Sequence, residues 1–291
     1  MRPTGDPSGS RTSTRVVQIG DLRQWRIVIA SQIAHYIRTY RFLGLLAFVS
    51  LISGLTLVFE VQAGVALVQQ TQLHKISEYL SNFLVWTGLW VILAAGFFGG
   101  DALSVDFSTG SGFYMLVQPV RRGTLLAGRY VAATLVTLGI VGVYFGFALI
   151  GGAYFFGATA IPWYTVALAL GLAGLFTLAA LSVAFTVSAF FRSPSAGVLV
   201  TILALYAGFT TLQSTAELAG YEPWWSLTYA GGAMAAALDT DFVHIQAIPV
   251  GEDQFLTLWS ASWQEGAIIM LAYLAIFVPL SFYLYHRKES T

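Results

Sequence analysis

Six stretches of this chain contain no Asp, Glu, Lys, Arg or His: about Phe42 to Phe59, Phe83 to Gly100, Tyr130 to Phe155, Tyr164 to Phe191, Ala196 to Leu212 and Gly266 to Tyr285. A helix needs about 20 apolar residues to cross ~30 Å of hydrocarbon, and most of the stretches approach or exceed that length. The expectation is an all-α polytopic membrane protein with six transmembrane helices. A mean hydropathy of +0.72 agrees, and 291 residues leave no space for a separate soluble catalytic domain. Ser226 to Leu238 is also apolar, but it is too short to cross, contains Gly231-Gly232 and is bounded by Glu222 and Asp239. It is expected to form a partly buried or interfacial segment.

The charges give an orientation. Taking the six stretches as spans, thirteen of the fourteen Lys and Arg residues share one side and only Lys75 lies on the other. Loops rich in Lys and Arg are retained in the cytoplasm during insertion, so both termini are expected there, in a plasma-membrane protein. The net charge of zero conceals a polarised molecule, with one base against nine acids outside and thirteen bases against five acids inside. Trp86, Trp163, Trp224, Trp225, Trp259 and Trp263 fall at or near the expected outer boundary, as an aromatic belt requires.

Residues 1–17, rich in Ser, Thr, Gly and Pro, are expected to be a disordered cytoplasmic tail without a cleavable apolar core. Residues 18–41 follow as an amphipathic helix. Its apolar stripe is Leu22, Trp25, Ile29, Ile33, Tyr36 and Tyr40, with Arg23, Arg38 and Arg41 away from it. Such a helix suits the inner membrane interface. Residues 42–291 form the six-span domain, with an inner loop over 101–129 and an outer loop over 213–265. Gly96 with Gly100, and Gly142 with Gly146, have the spacing at which helices can approach closely.

Missing motifs restrict the chemistry. Neither lysine, Lys75 or Lys288, lies in a Gly-x-x-x-x-Gly-Lys-Ser/Thr loop, so the chain is not its own ATPase. Ion-driven carriers usually hold ionisable residues within their spans, and these spans hold none. Paired helical histidines for a metalloprotease are absent, and without cysteine there is no disulfide or thiolate site. Asp239, Asp241, His244, Glu252 and Asp253 have side chains that suit a divalent ion, although a solvated acidic loop accounts for them.

The most specific stretch joins the second and third spans. Asp101 is followed by Asp106, Gly110-Ser111, an apolar segment through Phe113 to Val117, then Pro119, Arg121-Arg122 and Gly128-Arg129. A short helix ending near Pro119 is expected, because the residue before proline disfavours the helical region. At these residues the chain resembles the permeases of ABC-2-type exporters. Asp101, Asp106, Gly110, Pro119, Arg122 and Gly128 match that pattern; Ser111 stands where the family has Thr, and Arg129 where it has Lys. The detailed match covers about thirty residues, while the six spans and the preceding amphipathic helix agree with the family over nearly the whole chain.

The resemblance implies a coupling helix within 101–129 that docks on a separate ABC ATP-binding subunit. Asp101, Asp106, Gly110, Phe113, Pro119, Arg121, Arg122, Gly128 and Arg129 form or border that interface. ATP and Mg would belong to the partner, and this chain would be a non-catalytic subunit without a cofactor, working beside a second permease copy or paralogue. Lipid, not nucleic acid, is the surrounding medium. A permease-like component that serves the assembly or maturation of an extracytoplasmic enzyme is the alternative. A nucleotide-independent carrier is disfavoured by the uncharged spans.

Overall fold

The computed structural model describes residues 21–65, 68, 75–105, 122–239, 242–249 and 255–288. It is almost wholly helical. Helix α1 (Asp21–Arg38) leads into α2 (Tyr40–Ala63); α3 (Ile76–Val85) and α4 (Thr87–Gly99) run nearly end to end; α5 (Arg122–Phe156) and α6 (Trp163–Phe190) follow. Helix α7 (Pro194–Ile202) continues through a π-helical turn (Leu203–Gly208) into α8 (Phe209–Leu218). Two short helices, α9 (Leu227–Gly231) and α10 (Ala233–Ala236), precede the strands β1 (Ile245–Pro249) and β2 (Phe255–Trp259), and α11 (Trp263–Lys288) completes the chain. The strands pair antiparallel, with Ile245 opposite Trp259.

Six helical segments are long and apolar enough to cross a membrane: Tyr40–Ala63, Ile76–Gly99, Gly123–Phe156, Trp163–Phe190, Pro194–Leu218 and Trp263–Tyr285. The chain is therefore an all-α, multi-pass membrane protein. The second segment starts seven residues earlier than the apolar stretch at Phe83, because Tyr79 and Leu80 pack into the bundle. The fifth extends past Leu212 to Leu218, carried by the π-helical turn, so the short fifth stretch belongs to a full-length helix. The first reaches Ala63 and brings Glu60 into its last turn.

Packing separates the segments into two groups. The second, third and fourth are at least half buried, and their core includes Phe98, Ile140, Phe176, Leu181 and Phe185. The first, fifth and sixth keep most of their surface outside the bundle. Helix α6 lies along α11, where the Thr186 hydroxyl donates to the Phe277 carbonyl at 3.1 Å.

Gly100 and Gly197 meet directly. A Cβ on Gly197 would stand 2.2 Å from the Gly100 carbonyl oxygen, and one on Gly96 would strike Ile202. The Gly96 and Gly100 pair thus seats α7 on α4. The second expected pair does not pack in this way: a Cβ on Gly142 or Gly146 would meet nothing within 4 Å, and Gly142 is exposed on the outside of the bundle. Spacing alone cannot tell a packed small-residue stripe from one turned outward.

Helix α1 is separated from α2 by the extended residue Thr39, whose hydroxyl donates to the Tyr36 carbonyl at 2.6 Å. Its bundle-facing side overlaps the stripe expected from spacing, with Trp25, Ile29, Ile33 and Tyr36 buried or partly buried, but is shifted from it. Val28, outside that stripe, is buried with Tyr36, and Ile29 and Ile33 are half-buried, whereas Tyr40 is 92% exposed. The approach of α5 shifts the face that spacing marks. Ser226 to Leu238 holds the buried side chains Leu227, Tyr229, Met234 and Leu238, packed against α3 and α11.

Candidate functional site

The turn that leaves α4 is held from four directions. Asp101 stands just beyond the helix, its side chain mostly buried, and pairs with the Arg41 guanidinium from the first turn of α2. The Arg129 side chain is buried and its Nη1 donates to the Ala102 carbonyl at 2.8 Å. Ser188, near the end of α6, accepts hydrogen bonds from the Leu103 and Ser104 amides at 3.1 and 3.3 Å. From α1, the Tyr36 hydroxyl donates to the Phe98 carbonyl at 3.2 Å. These contacts supply partners to groups that a helix end leaves unsatisfied, so the chain exits along one fixed path.

Burial raises the Asp101 carboxyl above its ordinary value, and the Arg41 cation offsets this only in part, with His35 a smaller influence in the same direction as Arg41. An open crevice of about 650 Å3 lies beside this turn, between Gln32 and His35 of α1, Arg41 of α2 and Asp101.

Of the residues singled out in the sequence, Asp101, Gly128 and Arg129 converge here. Gly128 permits α1 to close on α5, since a Cβ there would lie 2.5 Å from Val28 Cγ1. Arg122 is the first residue of α5. Asp106, Gly110, Phe113, Pro119 and Arg121 lie outside the described residues. Arg41 and Tyr36 were not singled out as site residues; Arg41 directly precedes the first apolar stretch, but nothing in sequence marks Asp101 as its partner.

A second constellation lies near the hairpin. His244 meets Glu222 and Glu265, not Asp239, and offers its ligand atom within 4.8 Å of theirs. Asp241, Glu252 and Asp253 lie outside the described residues. His244 Nδ1 donates to the Ser260 carbonyl at 2.8 Å, leaving Nε2 toward Glu222 Oε1 at 3.7 Å. The donor set suits a divalent ion, yet both carboxylates have protein partners. Tyr229 donates to Glu222 at 2.6 Å, while the Ser262 amide and hydroxyl donate to Glu265 at 2.9 Å. Burial and the adjacent Glu222 carboxylate push the Tyr229 hydroxyl well above its ordinary value, so it serves as a donor. Ser262 and Glu265 form a capping box at the start of α11.

No protein-family model matches the chain, and no curated protein matches it.

Proposed function

We propose that the chain is the membrane-spanning permease subunit of an ABC-2-type exporter, powered by a separate ATP-binding subunit that docks on the 101–129 loop. The observation that carries the reading is the conjunction of the loop motif with its anchoring. Asp101, just past α4, and Arg129, in the second turn of α5, belong to one network of contacts around the ends of the connecting segment, so a push on that segment reaches α2, α4, α5 and α6 together. A chain without a P-loop needs such a surface to receive work. The largely uncovered first, fifth and sixth segments provide area for a second permease copy or a paralogue. In this reading the chain lies in the cell membrane with both termini in the cytoplasm, and ATP and Mg are bound by the partner.

The test is co-purification with the ATP-binding subunit. Reversing Arg121 and Arg122 to Glu replaces favourable pairing by like-charge repulsion and is expected to weaken association by several kcal/mol, to about the level of background capture. Asp106→Ala is expected to preserve insertion and lower ATP turnover in the complex, whereas charge reversal at Glu252 leaves both unchanged. Association that survives the Arg pair but fails with Glu252 would move the functional centre to the opposite side.

A further inference from the structure

Between α2 and the α3–α4 segment lies a cavity of about 440 Å3, within the size range of small-molecule sites. Its wall is a continuous run of aromatic rings. Centroids are 5.9 Å apart from Phe48 to Trp90, 5.8 Å from Trp90 to Tyr144 and 5.8 Å from Tyr144 to Phe83. Phe83 in turn stands 5.3 Å from Tyr79. The Tyr79 hydroxyl donates to Glu60 Oε2 at 2.7 Å, which places a carboxylate where the ring series ends.

Among the described residues of this lining, Glu60 is the sole ionisable acid or base besides the tyrosine hydroxyl, and none is Lys, Arg or His. Among the described residues this half-buried carboxylate is met by one neutral hydroxyl and no counter-charge, and the faces of aromatic rings attract cations as well. Anions are opposed by both features. On the rim, Phe48 and Trp86 are exposed, and the outward face of α2 continues with exposed Leu51, Leu55 and Val58. An alkyl chain can lie along that face while its head stays inside.

We propose that this cavity binds a cationic amphiphile, its single ammonium head between the aromatic wall and Glu60 and its chain along α2. That such a molecule is cargo rests on the export reading. Binding does not, so it is measured on the chain alone, without an ATP-binding subunit, and its failure leaves the docking test above untouched.

The probe is radiolabelled dodecyltrimethylammonium, equilibrated by dialysis with the chain in uncharged maltoside micelles, with chain-free micelles as baseline. Saturable binding is expected, displaced by unlabelled probe but not by dodecyl sulfate or dodecanol. Glu60→Gln keeps an acceptor for Tyr79 and is expected to weaken binding about tenfold, with the thermal unfolding of the chain retained. Thr56→Trp, which fills the cavity one helical turn from Glu60 and leaves the carboxyl group in the chain, is expected to remove saturable binding. Equal affinity in the folded Glu60→Gln chain, or equal displacement by dodecanol, would overturn the proposal. So would disulfide-linked pairs of Asn82→Cys chains whose formation the probe does not block, because the groove would then be an interface between copies.

Discussion

Val28 of α1 and Gly128 of α5 touch so closely that a Cβ on the glycine would stand 2.5 Å from Val28 Cγ1 and 3.3 Å from Val28 Cβ. Valine is stiff about χ1 and cannot swing away cheaply. This contact holds the amphipathic helix on the start of the third span, one residue before the buried Arg129 that fixes the exit from the second. A glycine of the loop motif thus has a packing role of its own.

Gly128→Ala is expected to destabilise the folded chain by about 1 to 3 kcal/mol, the usual cost of overpacking. Gly142→Ala faces open space and gains helix propensity, so it is expected to be neutral or to stabilise by up to about 1 kcal/mol. Thermal unfolding of both variants in the same detergent checks the contrast; similar losses in both would deny the Val28 contact its role.

Arg129→Met removes the donor to the Ala102 carbonyl while keeping much of the buried volume. Leaving a buried carbonyl unsatisfied costs about 1 to 3 kcal/mol. Limited proteolysis of the segment between α4 and α5 is the sensitive readout, with faster cleavage expected in the variant than in the parent chain.

Asp101 makes stability depend on pH. Its folded-state carboxyl is raised above the ordinary 3.8 because burial outweighs Arg41, so its contribution is complete below that value and is lost as pH rises through the raised one. The parent chain is therefore expected to lose stability relative to Asp101→Asn as pH rises above the ordinary carboxyl value of 3.8. Unfolding midpoints of the two chains measured from acid to neutral pH check the sign, and a constant difference would show that Arg41 holds the carboxyl at its unfolded value.

With no native cysteine, single cysteines can report sidedness. Tyr221 and Ser193 are both exposed and lie at opposite ends of the fifth membrane segment. Tyr221→Cys is expected to react with an impermeant thiol reagent added to intact cells, and Ser193→Cys only after lysis. The reverse pattern would invert the orientation drawn from the Lys and Arg distribution.

Six membrane helices were legible in the sequence because uninterrupted apolar length is a local property, and because water-free surroundings leave little choice but helix. The placement of Asp101 and Arg129 in a polar exit between two such stretches was legible too. What the sequence could not supply was any partner across space. Val28 lies outside the apolar stripe of α1 yet is buried as fully as Tyr36 within it, since the approach of α5 shifts the face that periodicity marks. Gly96 with Gly100 and Gly142 with Gly146 look alike as pairs, and only the position of α7 separates them. His244 sits in an acidic run but turns to Glu222 and Glu265, which the bundle carries in from distant positions. Glu60 looks like a boundary residue after an apolar stretch; extension of α2 and the approach of Tyr79 set it at the end of an aromatic wall. Local chemistry determined which segments enter the membrane and which carry charge, and tertiary packing decided which of those charges meet.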